Sequence, residues 1–441
     1  MAASRPVLIR NGCVLTLDRR IGDFSRADVL VRHGKIAAVG PGLETADAEI
    51  IDASDCIVMP GFVDTHRHMW QGLLRNLLPD APLAKYFRIV SRTFGPVFTP
   101  EDVYAATLTS ALGAIDCGIT NILDWSSIQN TPAHTEAAIA ALSDAGIRAV
   151  FAFGNPASAT GQFWGDPRHR YPADLPRLRK EHFSSADQLT TLALASVGGP
   201  HERLVEVWQA AREVEAPISI HAGTHADGAL ERLGEAGLMK PDTTYIHCCH
   251  LTDREWAYIR DTGGALSISP YVELTMGIGT PPVQKALDLG IRPSLSIDVE
   301  TSAPGDMFTQ MRCVLALQRP DARASGGQIL TARDVLEFAT VEGAAANRLG
   351  SRIGTLTPGK EADIILLRTD RFDVLPMNDP VGAVVTSMSP ASVDTVIIAG
   401  KIRKRHGQLV GVDLSRVARL ADEARDRVVA AISSRCSSPV S

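Results

Sequence analysis

The central part of this 441-residue chain alternates strand-like and helix-like segments, and this alternation restricts the fold more than any other feature. Short apolar runs of strand length occur at 57–64, 119–125, 147–153, 189–197, 217–221, 243–247, 265–270 and 292–297. Helical patterns lie between most of these runs, at 101–117, 131–145, 201–215, 252–261, 281–289 and 304–318. Repeated strand–helix units favour a parallel sheet, and eight of them predict an α/β fold closed into a (β/α)8 TIM-like barrel. In such a barrel we expect functional side chains at the carboxyl ends of the strands.

The two ends of the chain resemble each other and predict a second, smaller domain. Residues 29–40 are typical of two short strands that turn at Gly34, and residues 396–403 repeat this plan with a turn at Gly400. Because a two-stranded hairpin is only marginally stable alone, we expect both to join the runs at 7–18 and 361–368 in one small β-sandwich. The predicted division of the chain is a sandwich from 1–58 and 351–412, a barrel over 59–350, and a C-terminal helix and tail over 413–441.

Residues 414–432 predict an amphipathic helix that begins after Asp413 as its N-cap. Its apolar side chains recur at positions 414, 417, 421, 424, 428 and 431. Such a stripe needs an apolar partner surface, which either the same chain or a second subunit can supply. We predict a homo-oligomer, a dimer or larger, although the sequence leaves both partner surfaces open.

Metal-binding residue types stand where the predicted strands end. His66 and His68 are two residues apart on the extended segment after the first run, so their imidazoles point to the same side. The fifth, sixth and eighth runs end in His221, His247 and Asp298. A single residue of this kind is more often a capping or core group, but four such strand ends predict one cluster around the barrel mouth. Imidazole nitrogen suits zinc, iron, cobalt or nickel, so the cluster is a candidate metal site.

Composition excludes several other classes of protein. A hydrophobic content of 45% and a charged content of 21% are typical of a soluble globular chain, and a net charge of -6 gives no basic surface for nucleic acid. No apolar run approaches the ~20 residues of a membrane span, and the first ten residues lack the apolar core of a signal peptide. The seven cysteines are scattered, which fits a reducing compartment. These features predict a cytoplasmic protein without a nucleic-acid or membrane partner.

Four short motifs lie at the predicted strand ends. They are P-G-F-V-D-T-H-R-H at residues 60–68, I-H-A-G-T-H at 220–225, I-H-C-C-H-L at 246–251 and S-I-D-V-E-T-S at 296–302. Together they resemble the amidohydrolase superfamily, in particular its branch with cytosine deaminase, S-adenosylhomocysteine deaminase and the triazine hydrolases. The stretch G-T-L-T-P-G-K-E-A-D at 354–363 resembles the re-entry of that superfamily into its β-sandwich.

This resemblance implies a metal-dependent hydrolase in which a metal-activated water attacks a nitrogen-bonded sp2 carbon of a small cyclic or heteroaromatic compound. It implies that one divalent metal ion, zinc or alternatively iron, is bound by His66, His68, His221 and Asp298. His247 would orient the water or polarise the substrate, and Asp298 would also accept the first proton. Binuclear members carry a bridging lysine after the fourth strand. Because residues 192–199 contain no lysine, one metal is expected.

The chain departs from the deaminases of this branch at two strand ends. They usually carry a glutamate three residues after the strand-five histidine, where this chain has Thr224, and the seventh strand here ends in S-I-S-P-Y-V-E at 267–273 rather than in histidine and asparagines. A threonine hydroxyl cannot shuttle protons near neutral pH. Two alternatives to deamination therefore stay open. The first is hydrolysis without ammonia release, by opening of a cyclic amide or displacement of another ring substituent. The second is a non-catalytic binding protein on the same barrel. Glu273, Glu300 and His225 are candidate substitute proton carriers.

Several residues near these motifs are candidates for contact with the substrate. Trp70 and Gln71 follow the first two histidines, and Trp125 ends the second run, so these side chains could line a pocket for a flat ring. The complete set of candidate substrate contacts is Trp70, Gln71, Trp125, Thr224, Glu273 and Glu300.

Overall fold

The computed structural model describes residues 5–157, 171–198, 201–224 and 228–437, and its strands divide between two sheets. In chain order the strands are β1 (Val7–Val14), β2 (Phe24–Arg32), β3 (Lys35–Gly40), β4 (Glu49–Asp52), β5 (Cys56–Pro60), β6 (Phe62–Arg67), β7 (Ile119–Ser126), β8 (Arg148–Phe153), β9 (Thr190–Ser196), β10 (Ile218–Ala222), β11 (Thr243–His247), β12 (Ala265–Ile268), β13 (Ser294–Leu295), β14 (Ile364–Arg368), β15 (Val393–Ile398), β16 (Lys401–Arg405) and β17 (Gln408–Leu409).

Strands β6 to β13 form the central sheet, in which each strand pairs in parallel with the next strand along the chain. The first and last strands meet where the Asp298 N–H donates to the His66 carbonyl and the His68 N–H donates to the Asp298 carbonyl, both at 2.9 Å. These bonds close the sheet into a barrel, so the predicted fold class is confirmed. They also bring strands one and eight together at the rim that carries the candidate ligands.

Helices follow most of the barrel strands and cover the outside of the barrel. The described helices are α1 (Leu83–Tyr86), α2 (Pro100–Asp116), α3 (Pro132–Ala145), α4 (Leu175–Glu181), α5 (His201–Glu213), α6 (Ala229–Glu235), α7 (Asp253–Thr262), α8 (Pro270–Thr275), α9 (Val283–Asp288), α10 (Met307–Ser325), α11 (Ala332–Phe338), α12 (Val341–Ala346), α13 (Pro380–Gly382) and α14 (Leu414–Ser437). Thr99 and Thr252 start α2 and α7 with reciprocal capping boxes, which satisfy backbone N–H groups that have no partner within the helix.

The first apolar run is divided between two sheets, which the sequence pattern did not predict. The segment 57–64 was expected as one strand, but β5 belongs to the terminal sheet and β6 to the barrel, with Gly61 between them. A Cβ atom on Gly61 would lie 2.1 Å from Cγ2 of Thr120, so a side chain cannot fit where the chain passes from one sheet to the other. The two imidazoles consequently lie at the end of a separate barrel strand.

The terminal sheet is built from both ends of the chain, as predicted, and forms a single nine-stranded sheet. Its order is β17-β16-β15-β14-β5-β1-β2-β3, and β4 pairs with β1. The turns at Gly34 and Gly400 lie against each other, with φ values of 78° and 73°, and a Cβ on Gly400 would lie 2.6 Å from the Gly34 Cα. The repeat in the sequence thus reflects two hairpins that meet at their glycines. The predicted bounds of the sandwich, the barrel and the C-terminal helix and tail stay a prediction.

A buried ion pair joins the barrel to the terminal sheet. The Arg148 guanidinium, at the start of β8, donates to both carboxylate oxygens of Asp363 at 2.7 and 3.0 Å and to Glu361 at 3.2 Å. Arg148 and Asp363 are both buried. Bidentate geometry fixes the direction of the guanidinium as well as its distance, so this contact sets how the two sheets meet.

Helix α14 packs on its own chain. Its N-cap is Asp413, as predicted, whose carboxylate accepts from the Arg416 N–H at 3.0 Å. Ala424 and Val428 are buried, but Leu414, at one end of the predicted stripe, is 59% exposed. This helix therefore carries no evidence for a second subunit, and the homo-oligomer stays a prediction. Among the described residues, no helix is long and apolar enough to cross a membrane.

Candidate metal centre

Five side chains meet at the carboxyl end of the barrel strands, where the sequence placed them. The ligand atoms of His66, His68 and His221 all lie within 4.8 Å of one another. A second group with the same spacing consists of His66, His247 and Asp298. Because His66 belongs to both groups, the five residues form one cluster at the point where strands one and eight close the barrel.

Hydrogen bonds fix the orientation of the first imidazoles. His68 Nδ1 donates to the carbonyl of Trp125 at 3.0 Å, which leaves Nε2 turned toward the Asp298 carboxylate, 3.6 Å away. His66 Nε2 lies 3.2 Å from the same carboxylate, and its Nδ1 is buried without a hydrogen-bond partner in the described part of the chain. A buried nitrogen without a partner and several nitrogens that converge on one carboxylate fit a site for a cation.

The protonation states also fit a metal site. Burial, together with the neighbouring His66, lowers the pKa of His68 to about 3, and the same causes lower the pKa of His221 well below its usual range. Burial opposes ionisation of Asp298, but the hydrogen bond from His66 and the nearby histidines outweigh burial and lower its pKa to about 2. Near neutral pH His68 and His221 are therefore uncharged and Asp298 is ionised, which are the forms that bind zinc or iron.

Glu273, a candidate proton carrier and substrate contact, lies behind His247 and not in the cavity wall. Its Oε1 accepts from His247 Nδ1 at 3.0 Å and from the Ser269 N–H at 2.8 Å, and the residue is fully buried. Burial would lower the pKa of His247, but the hydrogen bond to Glu273 and the nearby Asp298 raise it. Burial raises the pKa of Glu273, and the contact with His247 opposes that rise. The two groups therefore form one hydrogen-bonded pair.

Glu300 also lies away from the cavity. Its carboxylate pairs with Arg75 at 2.8 Å and with Arg67 at 3.5 Å, and it accepts from the Ser110 hydroxyl at 2.6 Å. Residues 298 and 300 would face the same side if the strand continued, but Asp298 has a φ of 67° and the extended alternation ends there.

A cavity of 440 Å³ opens above the cluster. The predicted residues Trp125 and Thr224 line it, whereas Trp70 packs against Phe98 and Gln71 donates to the hydroxyl of Tyr86. Neither Trp70 nor Gln71 lines the cavity, so their predicted contact with a substrate has no support from the structure. His225 lies outside the described residues.

Sequence reasoning missed much of the cavity wall. The lining residues it missed include Tyr86, Phe87, Asn155, Met276 and Ile278. Two signals were available for part of this set. The aromatic pair at 86–87 lies in a long segment between the first strand and the next helix, and Asn155 follows directly after a barrel strand. The inner face of the cavity is therefore largely apolar, with a few polar atoms close to the metal cluster.

Comparisons with known proteins agree with this arrangement. A sequence model of the amidohydrolase family matches residues 57–403. A 5'-deoxyadenosine deaminase from Methanosarcina mazei is 29% identical over 448 residues, which cover 97% of this chain and 99% of that protein. An adenosine deaminase from Xanthomonas campestris, solved with bound zinc, has a TM-score of 0.84 at 23% identity and covers 96% of this chain and 98% of its own. An atrazine chlorohydrolase from Arthrobacter aurescens, solved with zinc, has a TM-score of 0.84 at 22% identity. The match covers 95% of this chain and 100% of that protein.

The family match spans most of the chain, and the protein therefore belongs to the amidohydrolase family. This confirms the resemblance that the strand-end motifs indicated. The protein is a hydrolase of the class that acts on carbon–nitrogen bonds other than peptide bonds, and its relatives include deaminases. The two solved structures support the barrel fold independently of the sequence motifs.

Proposed function

We propose that this protein is a hydrolytic deaminase that binds one divalent metal ion, zinc or alternatively iron. The proposed ligands are His66, His68, His221 and Asp298. The observation that carries the proposal is the meeting of four imidazoles and one ionised carboxylate in one cluster, whose members His68, His221, His247 and Asp298 line a single cavity. When bound, a divalent ion lowers the pKa of water so that hydroxide is available near neutral pH.

The donor set supports one metal rather than two. Strand β9, the fourth of the barrel, contains no lysine that could carry a bridging carboxylate. Asp298 is the carboxylate that contacts the cluster, and its Oδ1 lies near both His66 and His68. Its Oδ2 lies 3.8 Å from His247 Nε2. Asp298 is thus placed to accept a proton from the attacking water, and His247 Nε2 to accept a hydrogen bond from that water and orient it.

The cavity supports a small substrate with a flat, nitrogen-containing ring. Its volume of 440 Å³ is within the range of about 300–1,000 Å³ that small-molecule sites occupy. The indole of Trp125 packs against His221, with ring centroids 4.2 Å apart, so an aromatic surface lies directly beside the metal cluster. The compounds named for the related proteins, 5'-deoxyadenosine, adenosine and atrazine, all contain such a ring with an exocyclic substituent on a ring carbon.

Thr224 favours a second candidate, hydrolysis that releases a group other than ammonia. Thr224 lines the cavity, where a carboxylic acid would be needed to protonate a poor leaving group. Among the described residues, Glu273 and Glu300 do not line the cavity, and the carboxylate of Glu255, which does line it, accepts from the backbone N–H groups of Leu230 and Thr252. A leaving group that departs without protonation, such as chloride, would need no additional acid.

The test is a substrate screen on zinc-loaded protein. The panel contains 5'-deoxyadenosine, adenosine, S-adenosylhomocysteine and atrazine, with ammonia measured and each product identified by mass. We expect hydrolysis of at least one ring compound, and loss of that activity in Asp298→Asn. Ammonia release supports deamination, and hydrolysis without ammonia supports the second candidate. Zinc-loaded protein that hydrolyses none of these compounds, or an unaffected Asp298→Asn variant, would contradict the proposal.

A further inference from the structure

The buried carboxylate of Glu273 makes only two hydrogen bonds in the described part of the chain, and one of them is to a residue of the metal cluster. We propose that Glu273 is a positioning residue that holds His247 with its proton on Nδ1 and its Nε2 toward the cavity. This inference rests on the proposed function, because it concerns the residue placed to orient the attacking water. It assigns Glu273 a role different from the proton carrier that the sequence indicated.

The carboxylate is itself held in place by the backbone. Ser269, directly after strand β12, donates its N–H to Glu273 Oε1 at 2.8 Å, and the Glu273 N–H donates back to the Ser269 carbonyl at 3.0 Å. The Ile278 N–H bonds to the Glu273 carbonyl at 2.9 Å and fixes the following turn. Oε1 is therefore a fixed acceptor, and it faces His247 Nδ1 at 3.0 Å.

The orientation of His247 needs such an external contact. Its φ of 71° is in the left-handed region, and Cys248 follows at 59°, so the alternation of side chains along β11 ends at this residue. The direction of the imidazole is consequently not determined by the strand. The bond to Glu273 supplies the direction that the backbone does not.

The chemistry of Glu273 also differs from that of a packing residue. The residue is fully buried, and its Oε2 has no hydrogen-bond partner among the described residues. A buried carboxylate is destabilising unless it is paired, and an apolar side chain of similar size would fill the space without that cost. His247, whose Nδ1 lies 3.0 Å from the carboxylate, is the partner that offsets this cost of burial.

The consequence is a defined tautomer. A neutral imidazole carries one N–H, and when Nδ1–H is donated to Glu273 the lone pair remains on Nε2. That atom lies 3.8 Å from Asp298 Oδ2, on the cavity side of the ring. His68 follows the same scheme, because its Nδ1 donates to the Trp125 carbonyl. Two histidines of the cluster are thus oriented by hydrogen bonds that their Nδ1–H groups donate, His68 to a backbone carbonyl and His247 to a carboxylate.

The experiment compares Glu273→Gln and Glu273→Leu in zinc-loaded protein labelled with 15N-histidine. Long-range 1H–15N spectra report the tautomer of His247, with His247→Gln used to assign its signals. Glutamine can accept both N–H bonds at Oε1, so we expect the Nδ1–H tautomer in the parent and in Glu273→Gln. Leucine removes the acceptor, so in Glu273→Leu we expect the Nδ1–H tautomer to be lost. Glu337→Leu, which removes a buried carboxylate outside the cavity wall, is the matched control and should leave the His247 signals unchanged.

Kinetics on the substrate identified in the screen give a second readout. Residues that orient catalytic or metal-binding histidines contribute about 10- to 100-fold, so we expect kcat of Glu273→Leu to fall by this factor with KM little changed. Glu273→Gln should recover most of kcat, and the zinc content of both variants should equal that of the parent.

Retention of the Nδ1–H tautomer in Glu273→Leu would overturn the proposal. A Glu273→Gln variant as impaired as Glu273→Leu would also overturn it, because charge rather than position would then be the essential property. If Glu273→Leu does not fold, loss of the Nδ1–H tautomer in Glu273→Gln overturns the proposal and its retention supports it. The spectra need no substrate, so a parent without activity would contradict the proposed function and leave the positioning test intact.

Discussion

Asp124 gives a prediction whose magnitude follows from the structure. This aspartate lies in strand β7 and is fully buried. Its Oδ1 accepts a hydrogen bond from the Met69 N–H at 3.3 Å. Its Oδ2 has no hydrogen-bond partner among the described residues. Burial raises the pKa of its carboxyl to about 7. We expect Asp124→Asn, which keeps the shape of the protonated acid and cannot ionise, to stabilise the protein at alkaline pH.

The sign and size follow from proton linkage. Between the unfolded pKa of about 3.9 and the folded pKa of about 7, the folded state binds more protons, so the contribution of Asp124 to the free energy of unfolding is lost as pH rises. A shift of about 3 pKa units corresponds to about 4 kcal/mol, of which about 2.5 kcal/mol falls between pH 5 and pH 8. The variant should therefore gain this difference over the parent across that interval.

The assay is urea unfolding of zinc-saturated parent and Asp124→Asn at pH 5, 6, 7 and 8, followed by tryptophan fluorescence. Proton uptake by the buried histidines affects both proteins and cancels in the difference between them. A difference in the free energy of unfolding that stays constant from pH 5 to pH 8 would refute the reasoning, because Asp124 would then have the same pKa in the folded and unfolded states.

Three further predictions concern other contacts. Arg148→Met leaves Asp363 and Glu361 without their buried cation and should lower the free energy of unfolding by about 3–5 kcal/mol in urea titrations, whereas an unchanged value would show that this pair does not hold the two sheets together. Asn155→Ala should raise KM roughly two- to tenfold with an unchanged melting temperature, because Asn155 lines the cavity, its Oδ1 is buried without a hydrogen-bond partner among the described residues, and one neutral hydrogen bond is worth about 0.5–1.5 kcal/mol. Deletion of residues 412–441 should lower Tm and leave the number of subunits measured by light scattering unchanged, because Ala424 and Val428 are buried against the same chain. A smaller number of subunits after the deletion would place the helix at an interface instead.

The sequence predicted the barrel and the placement of its ligand residues well, because both depend on local patterns. Strand and helix periodicity is set by residues a few positions apart, and the residues at strand ends meet whenever a parallel barrel closes. His66, His68, His221, His247 and Asp298 were therefore recognised as one candidate cluster from their places at strand ends, and the resemblance to the amidohydrolases then implied a role for each.

The remaining errors arise where the backbone departs from regular geometry. The chain passes from one sheet to the other at Gly61, where Thr120 leaves no room for a side chain, and periodicity cannot show this close approach. The left-handed conformation at Asp298 turns Glu300 away from the cavity, and a short helical turn over 69–74 places Trp70 and Gln71 outside it. Glu273 was assigned to the correct site, but only the structure shows that it faces the back of His247.

Elemental analysis of protein purified without added metal tests the central claim most directly. If the cluster at the barrel mouth is a single-metal hydrolytic site, the parent should contain close to one equivalent of zinc or iron per chain. His221→Ala, which removes one of the proposed ligands, should retain much less metal while its circular dichroism spectrum stays that of the parent. Two tightly bound equivalents in the parent, or equal metal content in the parent and His221→Ala, would contradict the account.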